Sequence, residues 1–92
     1  MSTSEGVILV GAKPTMNYVL ATVLQFNQGA KKVVIKARGR AISKAVDTAE
    51  IVKTRFLQEE VDITSVNIGS EQVGEPGNQR TVSTIEIVLE RK

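Results

Sequence analysis

The chain has 92 residues, with no cysteine, histidine or tryptophan, and twelve Lys and Arg against ten Asp and Glu. That length suits one domain over residues 1–92, and the missing Cys and His remove disulfides, zinc sites, thiol nucleophiles and imidazole bases, and with them most hydrolase and redox mechanisms. The formal charge of +2 hides an asymmetry: residues 1–46 carry seven basic side chains and one acid, Glu5, whereas residues 47–92 carry five basic and nine acidic ones.

Val7 to Val10 is a short apolar run between Gly6 and Gly11 and reads as a buried strand. Pro14 suits the first turn of a helix, and Met16, Val19, Leu20, Val23, Leu24 and Asn27 then recur at three and four, so one apolar stripe runs to the stop signal Gln28-Gly29. Lys31 to Arg38 alternates: Val33, Ile35 and Ala37 share one face, and Lys32, Val34, Lys36 and Arg38 the other. After Gly39 a helical period returns through Ile42, Ala45, Val46, Ala49, Val52 and Phe56, giving a second helix of about 15 residues. Two strands follow, Val61 to Val73 and Thr81 to Leu89, joined by a turn over Gly74 to Gln79. The apolar phase slips between Ile63 and Val66, which reads as a bulge or as the point where the hairpin leaves the core. Beyond it the stretch from Gly69 to Arg80 holds one apolar residue, Val73, so this arm cannot be packed on both sides. The order β-α-β-α-β-β predicts an α+β, two-layer α/β sandwich: a mixed four-stranded sheet, two helices on one face, and a long protruding β-hairpin.

From Gly6 to Val46 there is no acid, and Lys31, Lys32, Lys36, Arg38, Arg40 and Lys44 fall within fourteen residues. Such a surface attracts polyanions, nucleic acid first and an anionic membrane face second. The longest uncharged stretch near the N-terminal half, Pro14 to Ala30, is too short and too polar to span a bilayer, and Met1 to Glu5 shows no export signal, so a soluble, cytoplasmic protein is expected. Gly6-x4-Gly11-Ala12-Lys13 echoes a phosphate-binding loop, but its centre reads as strand, no Lys follows the second Gly directly, and no Ser or Thr follows Lys13. Asp47 with Glu50 and Glu59 with Glu60 read as solvated charges, which leaves no catalytic set, no metal site and no cofactor: not an enzyme.

Arg38 and Arg40, two apart around Gly39, can point the same way from a strand end, and guanidinium forks suit phosphate oxygens. Lys36 and Lys32 extend the row, and Lys13 follows a strand end that the topology brings nearby. The competing account pairs Arg38 and Arg40 with Asp47 or Glu50 on the next helix. No aromatic lies in the basic strand, so backbone contact is favoured over base stacking. Tyr18 reads either as a hydroxyl donor to phosphate or as a partly buried structural residue. Phe56 is most simply core, and its terminal position also makes it a candidate contact between protein molecules.

The runs Gly11-Ala12-Lys13-Pro14-Thr15-Met16-Asn17-Tyr18-Val19-Leu20, Phe26-Asn27-Gln28-Gly29, Val34 to Asp47 and Val82-Ser83-Thr84-Ile85-Glu86-Ile87 resemble the Alba family of small archaeal chromatin proteins, and the resemblance covers nearly the whole chain. It implies a homodimer that binds double-stranded DNA with little sequence preference, coats or condenses it and is associated with the chromosome; family members also bind RNA. By position it implies phosphate contacts from Lys13, Lys36, Arg38 and Arg40, with Lys44 in the same basic block and Arg80 acting from the hairpin. It places Asn17 and Phe56 at the contact between neighbouring dimers. Family members often carry two adjacent lysines after the first strand, the first being an acetylation site; here Ala12 and Lys13 stand in that place.

Overall fold

Strict alternation over seven residues places Lys32–Arg38 at the centre of the molecule, because Val33, Ile35 and Ala37 can only be buried if helices cover that face. The computed structural model describes residues 5–92. It runs β1 (Glu5–Leu9), α1 (Thr15–Asn27), β2 (Lys32–Arg38), a 3₁₀ turn (Gly39–Ala41), α2 (Ile42–Ile51) continued by a π turn (Val52–Phe56), β3 (Val61–Glu75) and β4 (Asn78–Arg91). The sheet order is β1-β2-β4-β3, with β1 parallel to β2 and the other pairings antiparallel. The expected α+β architecture, mixed sheet and long hairpin are all present.

Val19, Phe26, Val33, Ile35, Val52, Val61 and Leu89 are fully buried between the helices and the sheet. Each such side chain contributes roughly 1.5–3 kcal/mol through the water it no longer contacts. Thr22 and Thr48 are buried too, and each hydroxyl donates to the carbonyl four residues earlier, Tyr18 O at 2.8 Å and Lys44 O at 2.8 Å, so neither leaves an unpaired polar atom in the core.

Several boundaries differ from those read in the sequence. β1 begins at Glu5, and Val10 extends its ladder by one bond, Val10 N to Lys36 O at 2.8 Å. The buried line on α1 is offset from the stripe read in the sequence: Val19, Thr22 and Phe26 are buried and Val23 is half-buried, while Met16, Leu20, Leu24 and Asn27 are exposed. On α2 the same holds for Val46, and Phe56 is 41% exposed, so it is not a core residue. The hairpin pairs further than expected, to Glu75 opposite Asn78, leaving a turn of only Pro76 and Gly77. Gly77 has φ 84°, which with Pro at the preceding position is what a type II turn requires.

The phase slip between Ile63 and Val66 is a bulge at Thr64: Ile63 pairs with Leu89 and Ser65 with Val88. One extra residue there keeps Ile63, Val66 and Ile68 on the helix side of the sheet. Val66 and Ile68 nonetheless lie past the end of the helical cover and are exposed. No helix among the described residues is long and apolar enough to cross a membrane.

Candidate nucleic-acid interface

Because β1 and β2 run parallel, both end at the same edge of the sheet, which brings the loop around Lys13 and the turn Gly39–Ala41 to one end of the molecule. Gly39 takes φ 57°, a left-handed conformation that lets the chain leave β2 sharply and start α2 within three residues. β4 lies beside β2 with Thr84 opposite Arg38, and the hairpin arm continues past this point. A groove is therefore lined by Arg38, Gly39, Arg40, Val73, Arg80 and Val82. Three of the basic residues singled out in the sequence, Arg38, Arg40 and Arg80, share it. Lys36 lines the adjoining depression together with Arg38, Glu71 and Glu86.

The cations of β2 are not a bare row. Arg38 is paired with Glu71 of β3, and Lys36 Nζ lies 3.6 Å from Glu86 Oε2, its register partner on β4. Lys32 Nζ lies 3.8 Å from Glu5. The alternative in which Asp47 or Glu50 holds Arg38 and Arg40 does not form; both acids are exposed on α2. Among the described residues Lys13, Arg40 and Arg80 make no ion pair. Arg38 is 64% exposed, so its pairing with Glu71 is a surface contact worth at most about 1 kcal/mol.

The loop between β1 and α1 is fixed from two helices. Tyr18 of α1 accepts N–H bonds at its hydroxyl oxygen from Gly11 at 2.9 Å and Lys13 at 3.0 Å. Lys44 of α2 donates from Nζ to the carbonyls of Lys13 at 2.6 Å and Gly11 at 3.3 Å. Burial alone would raise the Tyr18 pKa, but the two N–H donors and the ammonium groups of Lys44 and Lys13 outweigh it, holding the phenol below its ordinary value. The sequence placed Lys44 among the basic residues of this end, and it is there, with its charge directed at backbone carbonyls.

Asn17 is exposed in the first turn of α1, and Phe56 is exposed at the end of the π turn, an element that packs against α1. Phe26 is fully buried, and among the described residues no aromatic side chain lines the groove of Arg38, Arg40 and Arg80. Gly6 to Leu9 lies in β1, consistent with rejecting a phosphate-binding loop there. Sequence reasoning missed Glu71 and Glu86 as partners of Arg38 and Lys36. They lie 33 and 50 positions along the chain, and only the strand register reveals them.

The Alba family model matches residues 6–70. The "DNA/RNA-binding protein Alba" of Pyrobaculum islandicum is 58% identical over 88 residues, covering 95% of this chain and 96% of that one. That of Methanocella arvoryzae is 59% identical over 88 residues, covering 95% of this chain and 91% of the other. The solved structure of Alba from Thermoplasma volcanium superposes with a TM-score of 0.87 at 48% identity, over 92% of this chain and 99% of that chain. With the sheet order, the hairpin and the basic end all in place, these matches establish that the chain belongs to the Alba family.

Proposed function

We propose that this protein is a non-enzymatic, architectural binder of double-stranded DNA, acting through phosphate contacts with little sequence preference, as a homodimer that coats or compacts DNA. The observation that carries the proposal is the convergence of Arg38, Arg40 and Arg80 on one groove at the end of the sheet, with Lys36 adjoining, Lys13 on the neighbouring loop and Lys44 of α2 against that loop. Guanidinium forks at that spacing suit successive phosphate oxygens, and phosphate contacts carry no sequence information. The relatives' printed names support nucleic acid as the ligand class. No cofactor is needed for such a role, and the protein would work in the cytoplasm, associated with the chromosome.

The homodimer is supported by apolar surface that one copy leaves open: Val46 on α2, and Val66 and Ile68 on the helix side of β3. Asn17 and Phe56 are proposed as the contact between neighbouring dimers on DNA. A second reading, an RNA-binding module on the same face, is favoured by the same relatives' names, which print both ligands. Competition of duplex DNA against structured and single-stranded RNA at one stated salt concentration decides between them. In the same assay Arg38→Ala with Arg40→Ala should weaken all duplex sequences about equally. A loss confined to one sequence would indicate base readout and overturn the phosphate mechanism.

A further inference from the structure

We propose that Lys44 and Tyr18 are positioning residues for Lys13, clamping the Gly11–Lys13 loop so that its lysine is presented to phosphate while the Lys44 ammonium itself stays on the loop's carbonyls. The inference rests on the binding reading above. The local sequence is deficient in bonds of its own: residues 11–14 are exposed, and α1 begins at Thr15 behind Pro14 with no side chain capping its first turn. A loop of that kind, Gly-Ala-Lys-Pro, has little of its own to hold a shape.

The missing bonds arrive from both helices. The Tyr18 oxygen takes the N–H groups of Gly11 and Lys13, filling both of its lone pairs. The Lys44 ammonium takes the C=O groups of the same two residues, across 33 and 31 positions of chain. Both peptide polarities of Gly11 and of Lys13 are thus satisfied from outside the loop. Ordering these residues beforehand removes an entropic cost that Lys13 would otherwise meet on binding. Lys44 has two of its three donors committed in this way, whereas Arg40 and Arg80 have no partner among the described residues.

Two measurements test the proposal. In a double-mutant cycle read by duplex-DNA affinity, Lys44→Met should weaken binding severalfold in the natural chain. The same change in a Lys13→Ala background should have little further effect, because Lys44 acts through Lys13. Additive losses would overturn the proposal and make Lys44 a phosphate contact in its own right, and so would Lys44→Met binding as tightly as the natural chain. Lys44→Arg, which keeps a donor and the charge, should recover most of the affinity.

The second measurement needs no nucleic acid. Tyr18 is the single tyrosine and there is no tryptophan, so absorbance titration of tyrosinate reads this one side chain. Removing the adjacent ammonium disfavours the phenolate, so Lys44→Met should raise the Tyr18 pKa. Lys31→Met, at an exposed lysine outside the loop, should leave it in place. An unchanged Tyr18 pKa in Lys44→Met would show that the clamp does not exist. If the natural chain binds no duplex while the Tyr18 shift appears, the binding reading falls and the positioning role with it, and the clamp alone stands.

Discussion

Arg38 faces two anionic partners in turn: the Glu71 carboxylate in the free protein and, on the proposed reading, a phosphate in the complex. The two compete for one guanidinium. Breaking an exposed ion pair costs little, on the order of 1 kcal/mol or less, but the carboxylate left beside the phosphate adds repulsion. Glu71→Gln should therefore tighten duplex binding about two- to fivefold. Glu75→Gln makes the same charge change further along the hairpin, where among the described residues no ion pair to the basic end forms, and should have a smaller effect. Equal gains in the two variants, measured by titration at one salt concentration, would show that net charge alone matters. The cations were legible in the sequence because alternation assigns Lys36 and Arg38 to one face. Their partners were not, since an ion pair across strands depends on a register that sequence periodicity leaves open.

Among the elements, α1 and the π turn at the end of α2 show where periodicity stops being informative. A stripe of six positions on α1, five of them apolar, identifies the helix, yet of these only Val19 is fully buried; the sheet takes Thr22 and Phe26 from beside the stripe and leaves Met16, Leu20 and Leu24 exposed. Which part of a wide stripe is buried is settled by where the sheet lies. The irregularity at Thr64 was legible as a phase slip inside an alternating strand, and the register decides between the two readings of it in favour of a bulge. Phe56 belongs to the ambiguous class: its spacing fits the core, while the π turn that carries it places it 41% exposed. Truncating a core Phe costs about 3–5 kcal/mol, whereas here Phe56→Ala should cost under about 2 kcal/mol and leave the chain folded by circular dichroism. Its effect should fall on assembly, as reduced cooperativity in the binding isotherm on long duplex. Collapse of the fold would return Phe56 to the core.

Over the whole molecule, the described chain extends 47 × 30 × 21 Å, elongated beyond a compact body of this size by the hairpin arm. Its charge is similarly uneven, with cations gathered where β1 and β2 end. In the proposed dimer two copies would double that surface, so several phosphates would be neutralised per complex. With log K falling by ~0.9 in log salt per phosphate, the slope should be about 4–8 per dimer. Affinity that stays constant from low to physiological salt would contradict the electrostatic mechanism. The dimer itself is tested at Ile68, which is 83% exposed on the helix side of β3. Ile68→Asp should give a monomer in analytical ultracentrifugation without loss of secondary structure. A dimer unaffected by that charge would place the interface elsewhere.

β3 stands at the edge of the sheet, fifteen residues long, with one side of its backbone unpaired by any strand among the described residues. Such an edge invites a further strand and, through it, aggregation. The bulge at Thr64 twists the edge, and Glu71 and Glu75 set like charges against a second copy sliding alongside. On the proposed reading, the acid that would weaken the grip on phosphate would thus also guard against fibre-like stacking. Glu71→Gln is expected to bind DNA more tightly and to come out of solution at lower protein concentration.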